Sequence, residues 1–224
     1  LVRAGEAAKA NYANDTAIDY LERAAPLLDT PERWRVWREV GEVRAVLGDW
    51  PGAETTFREA LELAEAHERP SAIAWTQTSL ADLSRKRGDL DDASRWAESA
   101  RERFEELGDR EGLGRALQLT GTIAAMHGDF ATARVQLEAS LEIRRELGDD
   151  AGAGALLSNL GVMAEYEADY ERSRALHEEG LALVRAAGDR PAEVRALDRL
   201  AVLASVAGDA ATAPRARLPA RPNR

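Results

Sequence analysis

The sequence predicts an all-α fold, a right-handed α-solenoid of stacked antiparallel helix pairs. Three observations carry this. The pairs Gly48-Asp49, Gly88-Asp89, Gly128-Asp129, Ala168-Asp169 and Gly208-Asp209 recur every 40 residues without drift. A second ladder runs out of phase with the first: Leu107-Gly108-Asp109, Leu147-Gly148-Asp149 and Ala187-Gly188-Asp189. Two turn signals per period mean two helices per repeat, each repeat stacking on the next. The composition agrees, being rich in Ala, Leu, Arg and Glu, which are good helix formers. Of eight prolines, none lies deep inside a predicted helix of the array except Pro26, near a helix end.

Taken in order, the elements begin with two segments, 1–12 and 15–28, that form a partial first repeat over 1–28. First helices are predicted over 31–47, 71–87, 110–127, 150–167 and 190–207, and second helices over 51–66, 91–107, 131–147 and 171–187. The full repeats are therefore 31–68, 71–108, 111–148 and 151–188. An unpaired first helix follows at 190–208, and 209–224 reads as a disordered Arg/Pro-rich tail. Gly48, Gly88, Gly128 and Gly208 suit the left-handed conformation that ends a helix. The aspartate after each can accept hydrogen bonds from free amides of the next helix. Pro51, and Pro31 after Thr30, stand at first-turn positions, where a missing N–H costs nothing. Trp50, Leu90, Phe130 and Tyr170 are expected to tuck between the helices. Small residues recur on first helices (Gly5, Gly41, Ala81, Gly121, Gly161, Ala201) and on second helices (Ala17, Ala53, Ala93, Ala133, Ser173). Residues without bulk at a crossing let two backbones approach. Leu80, Leu117, Leu157, Leu160, Leu197 and Leu200, with Phe57, Leu61, Leu137, Leu141 and Leu181, fill the space around them.

The formal net charge is −10, which disfavours general nucleic-acid binding. There is no cysteine, hence no disulfide framework and no thiol chemistry. No apolar run approaches the ~18 residues of a membrane span, and no signal peptide is evident. The expected location is the cytoplasm. The chain opens inside its repeat pattern and reads as a piece of a longer protein. His67, His127 and His177 share no metal-ligand spacing, and His177 occupies a packing position. Gly112-Leu113-Gly114 and Gly152-Ala153-Gly154 lack the Lys and Ser/Thr of a phosphate loop. No spacing suggests a nucleophile with its base, so neither an enzyme nor a cofactor is expected.

The repeat resembles the tetratricopeptide repeat, whose pattern is W-x2-L-G-x2-Y, then A-x3-F, then A. The matching residues are Trp37-x2-Val40-Gly41 with Ala53-x3-Phe57-x2-Ala60-Leu61, and Leu117-x2-Thr120-Gly121 with Ala133-x3-Leu137-x2-Ser140-Leu141. Leu157-x2-Leu160-Gly161 with Ser173-x3-His177-x2-Gly180-Leu181 keeps the same frame, and Leu1-x2-Ala4-Gly5-x2-Ala8 with Ala17-x3-Leu21-x2-Ala24 fits as a truncated first unit. The period is 40 rather than the family's 34, and the proline that closes the family's second helix is replaced by Glu65, Glu105, Arg145 and Arg185. The 40-residue variety is similar to the sensor arrays of large bacterial signalling ATPases, nucleotide cyclases and transcription regulators. The resemblance implies a protein- or peptide-binding scaffold with first helices lining a concave face.

Stacking equivalent first-helix positions gives the rows Arg35, Trp75, Arg115, Ala155, Arg195 and Arg38, Thr78, Gln118, Ser158, Asp198. A third row reads Glu42, Asp82, Thr122, Val162, Val202, and Arg85 and Lys86 lie near a helix end. Their spacing places them on one helical face. Arginine presents a planar fork suited to carboxylates, and Trp75 could act as an aromatic platform. Asn159 is a candidate clamp for backbone amides, as in related peptide-binding arrays. The candidate peptide-binding set is thus Arg35, Arg38, Trp75, Asp82, Arg85, Lys86, Arg115, Gln118, Ser158 and Asn159, and the expected partner is an acidic protein or peptide. Two rival readings are a small-molecule sensor, which needs a closed pocket, and a self-associating scaffold. The second would pair through 190–207, whose stripe of Leu197, Leu200, Leu203 and Val206 lacks a second helix. An Arg-rich tail that grips nucleic acid or anionic lipid is disfavoured, since Arg215, Arg217, Arg221 and Arg224 come without aromatics.

Overall fold

The computed structural model describes residues 1–212 of the chain. Among them are eleven α-helices and no strand. The helices are α1 (Val2–Ala10), α2 (Asn14–Ala24), α3 (Thr30–Leu47), α4 (Trp50–Ala66), α5 (Pro70–Arg87), α6 (Leu90–Leu107), α7 (Arg110–Met126), α8 (Phe130–Glu146), α9 (Asp150–Tyr166), α10 (Tyr170–Ala186) and α11 (Arg190–Thr212). A single 3-10 turn, Ala25–Leu27, accommodates Pro26 after α2. The chain forms two compact units, Leu1–Ile143 and Arg144–Arg224. In each, a helix packs on its sequence neighbours, as α3 on α4, α5 on α6 and α9 on α10. This is an α-solenoid of antiparallel helix pairs. No helix among the described residues is long and apolar enough to cross a membrane.

The turns follow the mechanism read from sequence. Gly48, Gly88, Gly108, Gly128, Gly148 and Gly188 all have positive φ, the left-handed conformation that closes a helix without steric cost. Asp49 Oδ1 accepts from the Gly52 N–H at 3.0 Å, and Asp109, Asp129, Asp149, Asp169 and Asp189 repeat this three-residue reach. Asp89 departs: its carboxylate pairs instead with Arg87 at 3.2 Å. Three left-handed residues among those described are not glycine: Tyr12, before α2, Ala168, which continues the first ladder, and Glu68, which continues the second.

Three expectations are corrected. Trp50, Phe130 and Tyr170 are exposed rather than tucked away, and Leu90 is only half-buried. They are in register with Ala53 and Phe57 and their equivalents, but stand on a helix's first turn, where the stripe runs out to solvent. The last first helix does not stop at 207: α11 continues through Gly208-Asp209 to Thr212. The rest of the Arg/Pro-rich tail, 213–224, lies outside the described residues. On α11 the exposed apolar residues are Val194, Leu197, Val202 and Val206; Leu203 is buried, and Leu200 packs with Leu181, Val184, Ala192 and Ala196 against α10.

Packing within repeats rests on the small-residue row. Added Cβ atoms on Gly5, Gly121 and Gly161 would stand 2.7 Å from Leu21, 2.9 Å from Leu137 and 2.7 Å from His177, and one on Gly41 would overlap the Phe57 ring. Gly112 likewise makes room for Phe104, whose ring is fully buried. Arg44 ties α3 to its neighbours: it pairs with Glu22 and donates to Thr56 Oγ1 at 2.6 Å.

Candidate functional site

The first helices of the Leu1–Ile143 unit bring several candidate residues to one hollow of about 240 Å³. Its walls come from α3 (Arg38, Glu42, Ala45, Val46), α5 (Trp75, Thr78, Ser79, Asp82, Leu83, Lys86) and α7 (Arg115), with Phe57 of α4 at its base. The spacings i, i+4, i+7 and i+8 along α3 and α5 put these side chains on one face. Trp75 is fixed edge-on against the buried Phe104, with ring centroids 5.1 Å apart and an interplanar angle of 69°. The Arg38 guanidinium carbon lies 5.9 Å from the Trp75 ring centroid, a cation–π arrangement.

Most charges here already have partners. Arg38 pairs with Glu42, whose second oxygen lies 3.4 Å from Lys9 Nζ. Asp82 holds Arg85 at 2.7 Å and Lys86 at 2.9 Å. Burial pushes the Asp82 carboxyl up, but the hydrogen bonds from Arg85 and Lys86 outweigh it and hold the group below its ordinary range. Arg115 is different. It is half-buried, and its Nη1 donates to the neutral Gln118 Oε1 at 3.3 Å; among the described residues it meets no carboxylate. The Nε of Arg38 is also buried without a hydrogen-bond partner.

The remaining candidates are placed elsewhere. Arg35 lines a separate hollow beside α1 with Arg3, Glu32 and Glu39, and its guanidinium lies 3.9 Å from Glu6. Arg85 approaches the main hollow only through Asp82. Ser158 is half-buried and Asn159 exposed on α9, in the Arg144–Arg224 unit. Glu42 stands in a first-helix row of the sequence but outside the candidate set, yet it lines the hollow and neutralises Arg38; its i+4 spacing was the available signal. That unit also holds a polar cluster not seen in the sequence. The fully buried His177 has Nε2 3.2 Å from Glu165 Oε1, while Arg199 Nη1 lies 3.8 Å from Glu165 Oε2.

A family profile described as tetratricopeptide repeat matches residues 35–106 and, overlapping, 71–146, together half of the chain. The chain belongs to the tetratricopeptide repeat family. No curated protein matches it. Among solved structures it is similar to BtubC (BKLC) from P. vanneervenii, at 21% identity and a TM-score of 0.64 over 95% of this chain and 96% of that one. It is also similar to PH0952 from Pyrococcus horikoshii, a signal transduction ATPase with numerous domains and a tetratricopeptide repeat sensor, at 15% identity and a TM-score of 0.75. That match covers 90% of this chain and 32% of PH0952. A third is the Rap conjugation gene regulator of the plasmid pLS20 in complex with the Phr* peptide, at 15% identity and a TM-score of 0.72, over 87% of this chain and 55% of the regulator. At these identities the likeness is one of fold.

Proposed function

We propose that this chain is a protein- or peptide-binding scaffold. Its first-helix face in the Leu1–Ile143 unit would recognise a segment carrying acidic side chains. We further propose that it serves as the sensing or assembly arm of a larger bacterial regulator. The observation that carries the binding reading is Arg115. Its neighbours Arg38, Arg85 and Lys86 are each matched by a carboxylate, whereas Arg115 has only an amide oxygen. A partly desolvated guanidinium without a counter-charge favours an incoming carboxylate. Trp75, Leu83, Ala45 and Phe57 supply an apolar floor beside it. The family and the peptide complex of the Rap regulator support a peptide as ligand. The repeat sensor of PH0952 supports the sensing role. At this hollow the small-molecule reading is less favoured, because its volume of about 240 Å³ is smaller than the roughly 300–1,000 Å³ of ligand pockets. It suits one side chain of a longer segment.

The test compares native chain with Arg115→Glu as bait in host lysate. Among the described residues Arg115 takes part in no ion pair, so its replacement removes no partner from Arg38–Glu42 or from Asp82. A protein retained by the native chain and lost by the variant, with unchanged circular dichroism, supports the groove. Equal retention moves the site to another face, and no retained protein returns weight to a small-molecule sensor.

A further inference from the structure

In each repeat, the small residue of the first helix faces a side chain sixteen positions on. Gly5 faces Leu21, Gly41 faces Phe57, Gly121 faces Leu137 and Gly161 faces His177. The remaining pair differs: Ala81 packs in one buried cluster with Ala93 and Ala97 of α6, and Leu119, Ile123 and Trp96 fill the space around them. Glycine stands opposite a large knob and alanine opposite alanine, because a Cβ on the first helix takes the space that the knob would fill.

Ala201 is the next member of this row, on α11. One face of α11 is covered by α10, through Ala192 and Ala196 against Leu181 and Val184. The Ala201 face is not covered among the described residues. Ala201 is exposed, whereas Gly41, Ala81, Gly121 and Gly161 are all buried. Beside it Val194, Leu197 and Val202 are 57%, 41% and 53% exposed. A helix that simply closes an array presents a polar outer face; this one presents valine and leucine. The residue sixteen positions on is Arg217, between Pro214 and Pro219, where the other repeats carry Leu, Phe, Ala, Leu and His.

We propose that the Ala201 face of α11 docks an amphipathic helix of another protein, and that this helix places alanine, not a large side chain, opposite Ala201. The argument is continuity with the interface that the chain forms in its other repeats. There the alanine type is represented by α6, with the pattern Ala93-x3-Ala97-x2-Ala100-x3-Phe104. The groove around Arg115 plays no part in it.

The test uses the full chain and two labelled peptides. One carries the sequence of α6 (residues 90–107), the other that of α4 (residues 50–66). Each is held helical by a hydrocarbon staple at exposed positions, Glu98 and Glu102 in the first, Arg58 and Glu62 in the second. Fluorescence anisotropy should show the α6 peptide binding at least about tenfold tighter than the α4 peptide. Ala201→Gly, at an exposed position that leaves the fold intact by circular dichroism, should reverse the preference by making room for Phe57. Failure of both peptides to bind, equal affinities, or a preference unmoved by Ala201→Gly would overturn the proposal. A doubled mass for the chain alone, abolished by Ala201→Glu, would assign the face to a second copy and overturn it equally.

Discussion

At the residue scale, the left-handed residues Ala168 and Glu68 are the sharpest departures from the regular turn ladders. Ala168 was visible in the sequence as a break in the glycine ladder. Glu68 was not, because Glu68-Arg69 carries neither residue of the Gly-Asp signal. The backbone nevertheless closes the same way there: the Glu68 N–H donates to the Glu65 carbonyl at 3.0 Å and the Arg69 N–H to that of Ala64 at 2.9 Å. The left-handed conformation costs an L-residue about 1–2 kcal/mol. Glu68→Gly and Ala168→Gly should therefore each stabilise the chain by about 1 kcal/mol, partly offset by the greater freedom of glycine in the unfolded state. Urea unfolding reads this directly, and a lower midpoint for both variants would contradict it. Gln77 is a second case. It stands where the other repeats carry Trp37, Leu117 and Leu157, and its Oε1 is buried without a partner. An unsatisfied buried acceptor costs about 1–3 kcal/mol, so Gln77→Leu should raise the melting temperature. A drop would mean that the amide is satisfied in solution.

At the element scale, the pairing of glycine with a large knob sets how closely two helices cross. Gly41→Ala should destabilise by about 1–3 kcal/mol through its overlap with the Phe57 ring. Phe57→Leu in the same chain should recover part of that loss, since contacting residues do not add independently. Strict additivity in a double-mutant cycle would show that a side chain at position 41 does not meet the Phe57 ring. Helices, turns and this crossing were legible in the sequence because they rest on a period of 40 and on local turn chemistry. The site was legible only in part. Helical spacing placed Arg38, Trp75, Asp82, Lys86 and Arg115 together. Which cation lacks a counter-charge depends on side chains from elsewhere: Lys9, 33 residues from Glu42 in sequence, helps hold the carboxylate that occupies Arg38. The exposure of Trp50 and Phe130 was missed for a similar reason, since periodicity says which face a residue is on but not where the covering neighbour ends.

At the scale of the whole molecule, carboxylates paired along single helices link stability to pH. The hydrogen bond from Arg58 holds Glu54 below its ordinary range, and that from Arg101 does the same for Glu98, with Asp82 held down against its burial by Arg85 and Lys86. Depressed values in the folded state mean that the unfolded chain binds more protons in acid, so stability rises with pH. The contribution is complete above the ordinary values of 4.5 for glutamate and 3.8 for aspartate, and is lost as pH falls below them. Asp82→Asn should flatten the acid limb of a melting-temperature profile; an unchanged limb would mean that the Asp82 pairing contributes nothing in solution.

The groove reading is tested most directly by hydrogen exchange of the native chain with and without the protein it retains from lysate. The account predicts slowed exchange on the first helices, over 38–46 of α3, 75–86 of α5 and the turn of α7 around Arg115, and no slowing in Arg115→Glu. Protection confined to the second helices α4 and α6, or to α11, would contradict it.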